Sequence, residues 1–186
     1  MAARELRVAW CEELLEEKGF DCYATAHHLN DQTETFFINL FRGTGISGLH
    51  GILPKNGSLI HPMMFAWKNE IIRFARIKRI PYRLDKSNLT TDYERNAIRH
   101  KIVPVLREVN PTFEKTLNEN ILNFRQAENI YRQRIAEIRQ QISTEEETET
   151  HINIPKLLQL DQSYTYLFEI LSNVGFNRKT IHNIHQ

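Results

Sequence analysis

The chain has 186 residues, 41% hydrophobic and 25% charged, with a formal net charge of +1, the make-up of an ordinary globular protein with room for one substantial domain and a smaller piece. Its two cysteines, Cys11 and Cys22, stand in no CxxC or metal-ligand spacing, which excludes a disulfide scaffold and fits a reducing compartment. No apolar run approaches the roughly 20 residues that span a bilayer, and the opening Met-Ala-Ala-Arg-Glu-Leu-Arg carries no signal-peptide core, so a cytoplasmic location without membrane association is expected.

Charge is unevenly spread. Met1–Glu34 carries −5 and Lys68–Arg107 carries +7. A basic block of that size fits either a phosphate-rich partner or a solvated helical surface.

Residues 2–18 place Leu6, Ala9, Trp10, Leu14 and Leu15 at helical spacing, and Gly19 supplies the stop. Asp21–Ala26 is short and flanked like a buried strand. A helix then runs from about Asp31 to Arg42, with Leu29 stapled onto the apolar set Phe36, Phe37, Leu40 and Phe41. The segment Gly43–Gly51 holds four glycines among nine residues and reads as a sharp loop. Pro54–Ser58 is a turn, and Leu59–Met64 a strand that Pro62 assigns to a sheet edge. Lys68–Ile80 is a basic helix, Ile80–Leu84 an extended return before and after Pro81, and Asp85–Asp92 a polar loop. Tyr93–Lys101 is a helix that Pro104 ends or kinks. From Pro111 to Gln141 apolar residues keep helical spacing through Phe113, Leu117, Ile121, Phe124, Ile130, Ile135 and Ile138. An acidic linker or loop, Thr144–Thr150 at its centre and 143–151 at its widest, precedes a strand-like His151–Ile154. Short helices follow, with Pro155 at a helix start, Gly175 at a stop and a last helix from Arg178. The expected architecture is an α/β domain over 1–110 and a helical subdomain over 111–186.

Polar and titratable groups crowd the turn between the first strand and its helix, where open α/β sheets bind ligands. Asp31 and Glu34 lie three apart and project from one face. They fit a capping box at the positive end of the helix, and equally a pair of carboxylates that binds a cation or ammonium group. Of the adjacent His27 and His28, the first sits nearest the strand end and is the better candidate. Arg42-Gly43-Thr44-Gly45-Ile46-Ser47-Gly48 lacks the Gly-Lys-Ser/Thr of a Walker loop, yet exposed amides there fit an anion nest. Arg95 and Arg99 share a helix face, beside Asn96, in a pattern suited to phosphate or to pairing with Asp85, Asp92 or Glu94.

With these pieces in order, the sequence resembles the tRNA(Ile)-lysidine synthase family of PP-loop ATP pyrophosphatases. The carrying residues are Ala26-His27-His28-Leu29-Asn30-Asp31-Gln32-Thr33-Glu34-Thr35, then Arg42–Leu49, then Asp85-Lys86-Ser87-Asn88 with Arg95-Asn96-Ala97-Ile98-Arg99-His100. The likeness covers about residues 1–125. It implies a partial Rossmann-like parallel sheet and an ATP- and Mg2+-dependent ligase. That enzyme joins free L-lysine to the wobble cytidine of a CAU-anticodon tRNA(Ile) through an adenylated intermediate. It also implies catalytic roles for His27, Asp31, Glu34 and Arg95, and substrate or tRNA contacts for Arg42, Asn88, Asn96, Arg99 and His100. Gly43, Gly45 and Gly48 become cofactor-loop candidates, and no metal ligand set is implied. Family members carry a Ser-Gly-Gly-x-Asp-Ser loop on their first strand. This sequence has no Gly-Gly pair, and Asn30 stands where the family has Asp. The resemblance therefore implies an N-terminally truncated, inactive fragment that self-associates, up to a homodimer, through an exposed sheet edge. A tRNA thiolation enzyme and a non-catalytic RNA-binding module are the alternatives.

Overall fold

The computed structural model describes residues 2–83, 94–147 and 149–185. The chain divides into two compact units, Met1–Arg125 and Gln126–Gln186.

The first unit is α/β. Helix α1 (Ala2–Lys18) stops as its sequence requires: Gly19 turns left-handed at φ 66° and the Phe20 amide donates back to the Leu15 carbonyl. The apolar stripe of α1 is open to solvent, with Leu6 71% and Trp10 58% exposed. Strand β1 is only Tyr23–Ala24. It pairs in parallel with β3 (Leu59–Ile60), and β3 pairs on its other side with antiparallel β2 (Lys55–Asn56). The sheet order is β1-β3-β2, so the strand assigned to an edge lies in the middle. The reason is length. The strand ends at Ile60, before Pro62, and the proline has no ladder hydrogen bond to break. The Pro54–Ser58 turn is correspondingly the β2–β3 hairpin, closed by Gly57 at φ 58°.

Helix α2 (Leu29–Arg42) follows β1, and the short α3 (Ile46–Leu49) occupies part of the glycine segment. Helix α4 (Lys68–Ile77) ends three residues earlier than its periodicity suggests. Arg79 adopts the left-handed region at φ 53°, and the Ile80 amide donates to the Ala75 carbonyl, so a Schellman stop terminates the helix just ahead of Pro81. The polar loop Asp85–Asp92, with Asn88, lies outside the described residues.

Pro104 does not end its helix. Helix α5 (Glu94–Ala97) passes through a π-helical turn (Ile98–Ile102) into α6 (Val103–Val109). The Val103 amide bonds the Ile98 carbonyl, five residues back. Proline has no N–H for the His100 carbonyl and its ring would strike it; the wider turn relieves that conflict and the helix continues.

Helix α7 (Phe113–Ile142) starts in the first unit and ends in the second. Ile121 and Ile138 are buried on it, whereas Ile130 is exposed despite its helical spacing. In the second unit the acidic stretch is flanked by two paired strands, β4 (Ser143–Glu145) running antiparallel to β5 (Thr150–Ile152). Helices α8 (Ile154–Leu158), α9 (Ser163–Ser172) and α10 (Arg178–His185) complete it. Asn153 and Asn177 cap α8 and α10 through their side-chain oxygens. Ile138, Ile142, Leu157, Leu167, Ile170 and Ile181 form one core cluster.

Candidate functional site

The strand-to-helix turn is fixed by ordinary capping. His28 is the N-cap of α2, and its backbone amide donates to the Asp31 carboxylate at 2.8 Å. The capping box thus sits one turn earlier than the Asp31–Glu34 pairing read from sequence, and Glu34 is released from capping. The Leu29 amide also donates to the Ala66 carbonyl, tying the turn to the segment before α4.

Beyond the cap, four consecutive polar residues, Asp31, Gln32, Thr33 and Glu34, are all buried. Buried polar groups are stable only when partnered. Gln32 meets the Ile52 backbone twice, its amide donating to the carbonyl at 3.0 Å and its oxygen accepting from the N–H. The same carbonyl accepts from Arg125 at 2.6 Å. Gly51 turns left-handed here at φ 66°, and a Cβ on it would strike the Gln32 side chain. Glu34, 2% exposed, receives both Arg99 nitrogens, Nε at 2.6 Å and Nη2 at 3.0 Å. Arg95 Nε approaches the same carboxylate at 3.5 Å, and its Nη2 donates to Thr35 at 3.3 Å. Arg99 also lies 4.0 Å from Asp31. The two arginines therefore converge on α2, and the π-helical turn is the element that carries Arg99 there.

Asn30 organises the neighbouring wall. Its amide donates to Glu114 at 2.9 Å and its oxygen accepts from the Lys68 backbone amide at 2.9 Å, while Arg107 pairs with Glu114 at 2.6 Å. One side chain thereby pins the starts of α2, α4 and α7. His27 is held by Thr25 Oγ1 at 2.7 Å from Nδ1, and its ring stands edge-on to His61 at 4.9 Å. His61 is itself oriented by the Leu53 carbonyl at 2.7 Å from Nδ1.

Two cavities open on this turn. The smaller, about 410 Å³, faces His27, Asp31, Arg95, Asn96, Arg99 and Arg7. The larger, about 690 Å³, is lined by Glu34, Trp67, Arg107 and Lys115 among others. His28, Lys68 and Arg99 line both. The structure thus brings together His27, Asp31, Arg95, Asn96 and Arg99, with Glu34 behind them. Arg42, Gly43, Gly45, Gly48 and His100 line neither cavity. Arg42 pairs with Glu94 at the far end of α2, and Gly43 is the helix C-cap at φ 73°. At Gly48 a Cβ would collide with Thr44, so close packing accounts for that glycine. Arg7, His61 and Glu114 carry no sequence signal as site residues, and Asn30, Lys68 and Arg107 carry only that of the motif or the basic block. Asn30 and Glu114 are 84 positions apart, and nothing local to either points to the other.

Burial holds the His28 imidazole below its ordinary value of 6.5; the pull of Asp31 and Glu34 is outweighed, with Lys68 and Arg99 acting in the same direction as burial. His28 is therefore neutral at neutral pH, 3.2 Å from Asp31. Its folded value lies below its unfolded one, so between the two the unfolded chain binds more protons. Stability contributed at higher pH is then lost as pH falls from about 6.5 toward the folded value. Thermal midpoints measured between about pH 7.5 and pH 5 are expected to drop more for the native chain than for His28→Gln; equal drops would refute the assignment.

A parallel-paired β1 leading into a capped α2, with arginines and carboxylates gathered where strand becomes helix, defines an α/β protein with a charged cavity at the strand end. The PP-loop domain family model matches residues 1–106, and the TilS substrate binding domain model matches residues 145–186. The chain belongs to the PP-loop domain family. Its relatives there include the tRNA(Ile)-lysidine synthase of Bacteroides thetaiotaomicron, 39% identical over 184 residues, which are 99% of this chain and 42% of the relative. The tRNA(Ile)-lysidine synthase of Parabacteroides distasonis is 36% identical over 178 residues, 96% of this chain and 40% of the relative. That of Thermosipho africanus is 45% identical over 116 residues, 62% of this chain and 27% of the relative. The chain spans about two fifths of the length of the first two.

Proposed function

We propose that this chain carries the lysine and tRNA determinants of a tRNA(Ile)-lysidine synthase. In that reaction ATP converts the C2 oxygen of the wobble cytidine into an adenylate with release of pyrophosphate, and the amine of free lysine displaces AMP. What supports the reading is Asp31, whose carboxylate faces a cavity of about 410 Å³ whose other walls carry His27, Arg95 and Arg99.

Within this reading Asp31 is the ammonium ligand, because both oxygens of Glu34 already meet Arg99. Glu34 is a positioning residue that aims the two arginines. His27, oriented through Nδ1 by Thr25, accepts the proton that the attacking amine must shed. Arg7 and Arg95 fit the negative charge of a nucleotide triphosphate, whereas the loop holding Gly43, Gly45 and Gly48 is tightened by its own packing. Arg42, Asn88, Asn96 and His100 enter as tRNA contacts. A Rossmann-like catalytic domain over 1–110, a tRNA-binding subdomain over 111–186 and self-association through an exposed sheet edge belong to the same proposal.

The test is product formation. The sequence is grafted in place of the matching region of the Bacteroides thetaiotaomicron relative and supplied with ATP, labelled L-lysine and CAU-anticodon tRNA(Ile). Lysidine is the expected nucleoside, and Asp31→Asn is expected to lower kcat/KM by about a hundredfold. A folded graft that forms no lysidine would sink the proposal.

A further inference from the structure

We infer that the larger cavity takes one nucleotide of a single-stranded RNA, with its base against the Trp67 indole and its phosphate between Lys68 and Lys115. The inference rests on the proposed RNA substrate and adds a place for it, in which Trp67, Lys68 and Lys115 join the motif residues His28, Asn30, Glu34 and Arg99.

Charge selects an anion. Four cations and two carboxylates line the cavity. The carboxylates are already matched: Glu34 by Arg99, and Glu114 by Arg107 together with the Asn30 amide. His28, held neutral by burial, adds nothing. The surplus is therefore the ammonium groups of Lys68 and Lys115, which have no carboxylate partner among the described residues. A cavity with two uncommitted lysines is built for an anion.

Shape narrows the class. The lining also holds four apolar residues, Trp67 and Ile72 from the start of α4 with Val103 and Pro111. The volume of about 690 Å³ lies within the roughly 300–1,000 Å³ range of small-ligand sites. One cavity that offers an aromatic face and two lysines matches a base joined to a phosphate. Stacking on a side chain requires a base that is not already stacked in a duplex, which selects single strands.

The wall is also preorganised. Trp67 is the N-cap of α4, its amide donating to Glu70 at 2.7 Å, and the Lys68 amide donates to Asn30 at 2.9 Å. The indole and the first lysine are thus held by backbone bonds that do not depend on the ligand.

Trp10→Phe in the 186-residue chain leaves Trp67 as the sole tryptophan. Titration with a single-stranded RNA of about seven nucleotides is expected to quench Trp67 emission saturably. Adding Lys68→Ala and Lys115→Ala, with far-UV circular dichroism confirming the fold, is expected to weaken binding about tenfold. It should also flatten the slope of log affinity against log salt by about 0.7, for the one phosphate the two lysines share. Three results would each overturn the assignment: RNA binding, read by anisotropy, without Trp67 quenching; an unchanged salt slope in the lysine variant; or quenching by AMP as strong as by RNA, which would make the occupant a free nucleotide. The lysidine assay is independent of Trp67 emission. A quench without lysidine removes the enzymatic reading and keeps the RNA pocket, and lysidine without a quench does the reverse.

Discussion

Arg99→Ala is expected to lower the unfolding free energy of the Met1–Arg125 unit by about 3–5 kcal/mol, toward the lower end of that range. The pair it breaks is buried on one side almost completely: the Glu34 side chain is 2% exposed and that of Arg99 22%. Two short bonds join them, and removing the guanidinium leaves a nearly buried carboxylate without its main partner. Arg95 at 3.5 Å keeps part of the compensation, which is why the lower end is expected. Both tryptophans of the chain, Trp10 and Trp67, lie in this unit, so urea unfolding followed by tryptophan fluorescence reports it selectively. The double variant Glu34→Leu/Arg99→Met is expected to recover most of the loss, because no charge remains buried. An unchanged urea midpoint in the single variant would show that the pair holds geometry without contributing stability.

In the second unit, Ile181→Ala is expected to cost about 2–5 kcal/mol. Ile181 is 0% exposed and meets Ile138, Leu157, Leu167 and Ile170 in one cluster, so the lost atoms leave a cavity with little room to collapse. A unit of this size holds only about 3–9 kcal/mol in total, at roughly 0.05–0.15 kcal/mol per residue. The substitution therefore removes most of its stability and is expected to lower far-UV helicity at room temperature, with tryptophan emission unchanged because that signal belongs to the other unit. Ile181→Val, at about 0.5–1.5 kcal/mol, should leave it folded. Loss of tryptophan signal along with the helicity would mean that the two units unfold together.

Much of the helical frame is set by the sequence alone. The 3.6-residue period of Phe113–Ile138, the glycine stops at Gly19, Gly43 and Gly175, and the α10 start at Arg178 are local features set by backbone sterics and side-chain spacing, and the structure has each. The crowding of His27, His28, Asp31 and Glu34 at the first strand-to-helix turn was legible for the same reason. The Arg95–Arg99 spacing marked a basic face, although its partner was not nameable.

Tertiary structure decided the rest. Whether Glu34 caps a helix, binds a ligand or pairs with arginine depends on which helix lies across from it. That is Arg99 on a segment 65 residues away. The acidic hairpin β4–β5 has no hydrophobic alternation to announce it and forms because Ser143 and Ile152 are brought into register. Pro104 reads as a breaker until a π-helical turn accommodates it. The Asn30–Glu114–Arg107 chain and the Trp67–Lys68 wall join α2, α4, α6 and α7, distances that no sequence window spans. Local periodicity and turn chemistry specified the elements and the polar turn. The partners of each buried charge, and so the two cavities, were specified only by long-range packing, because a charge leaves water only where the fold supplies its counterpart.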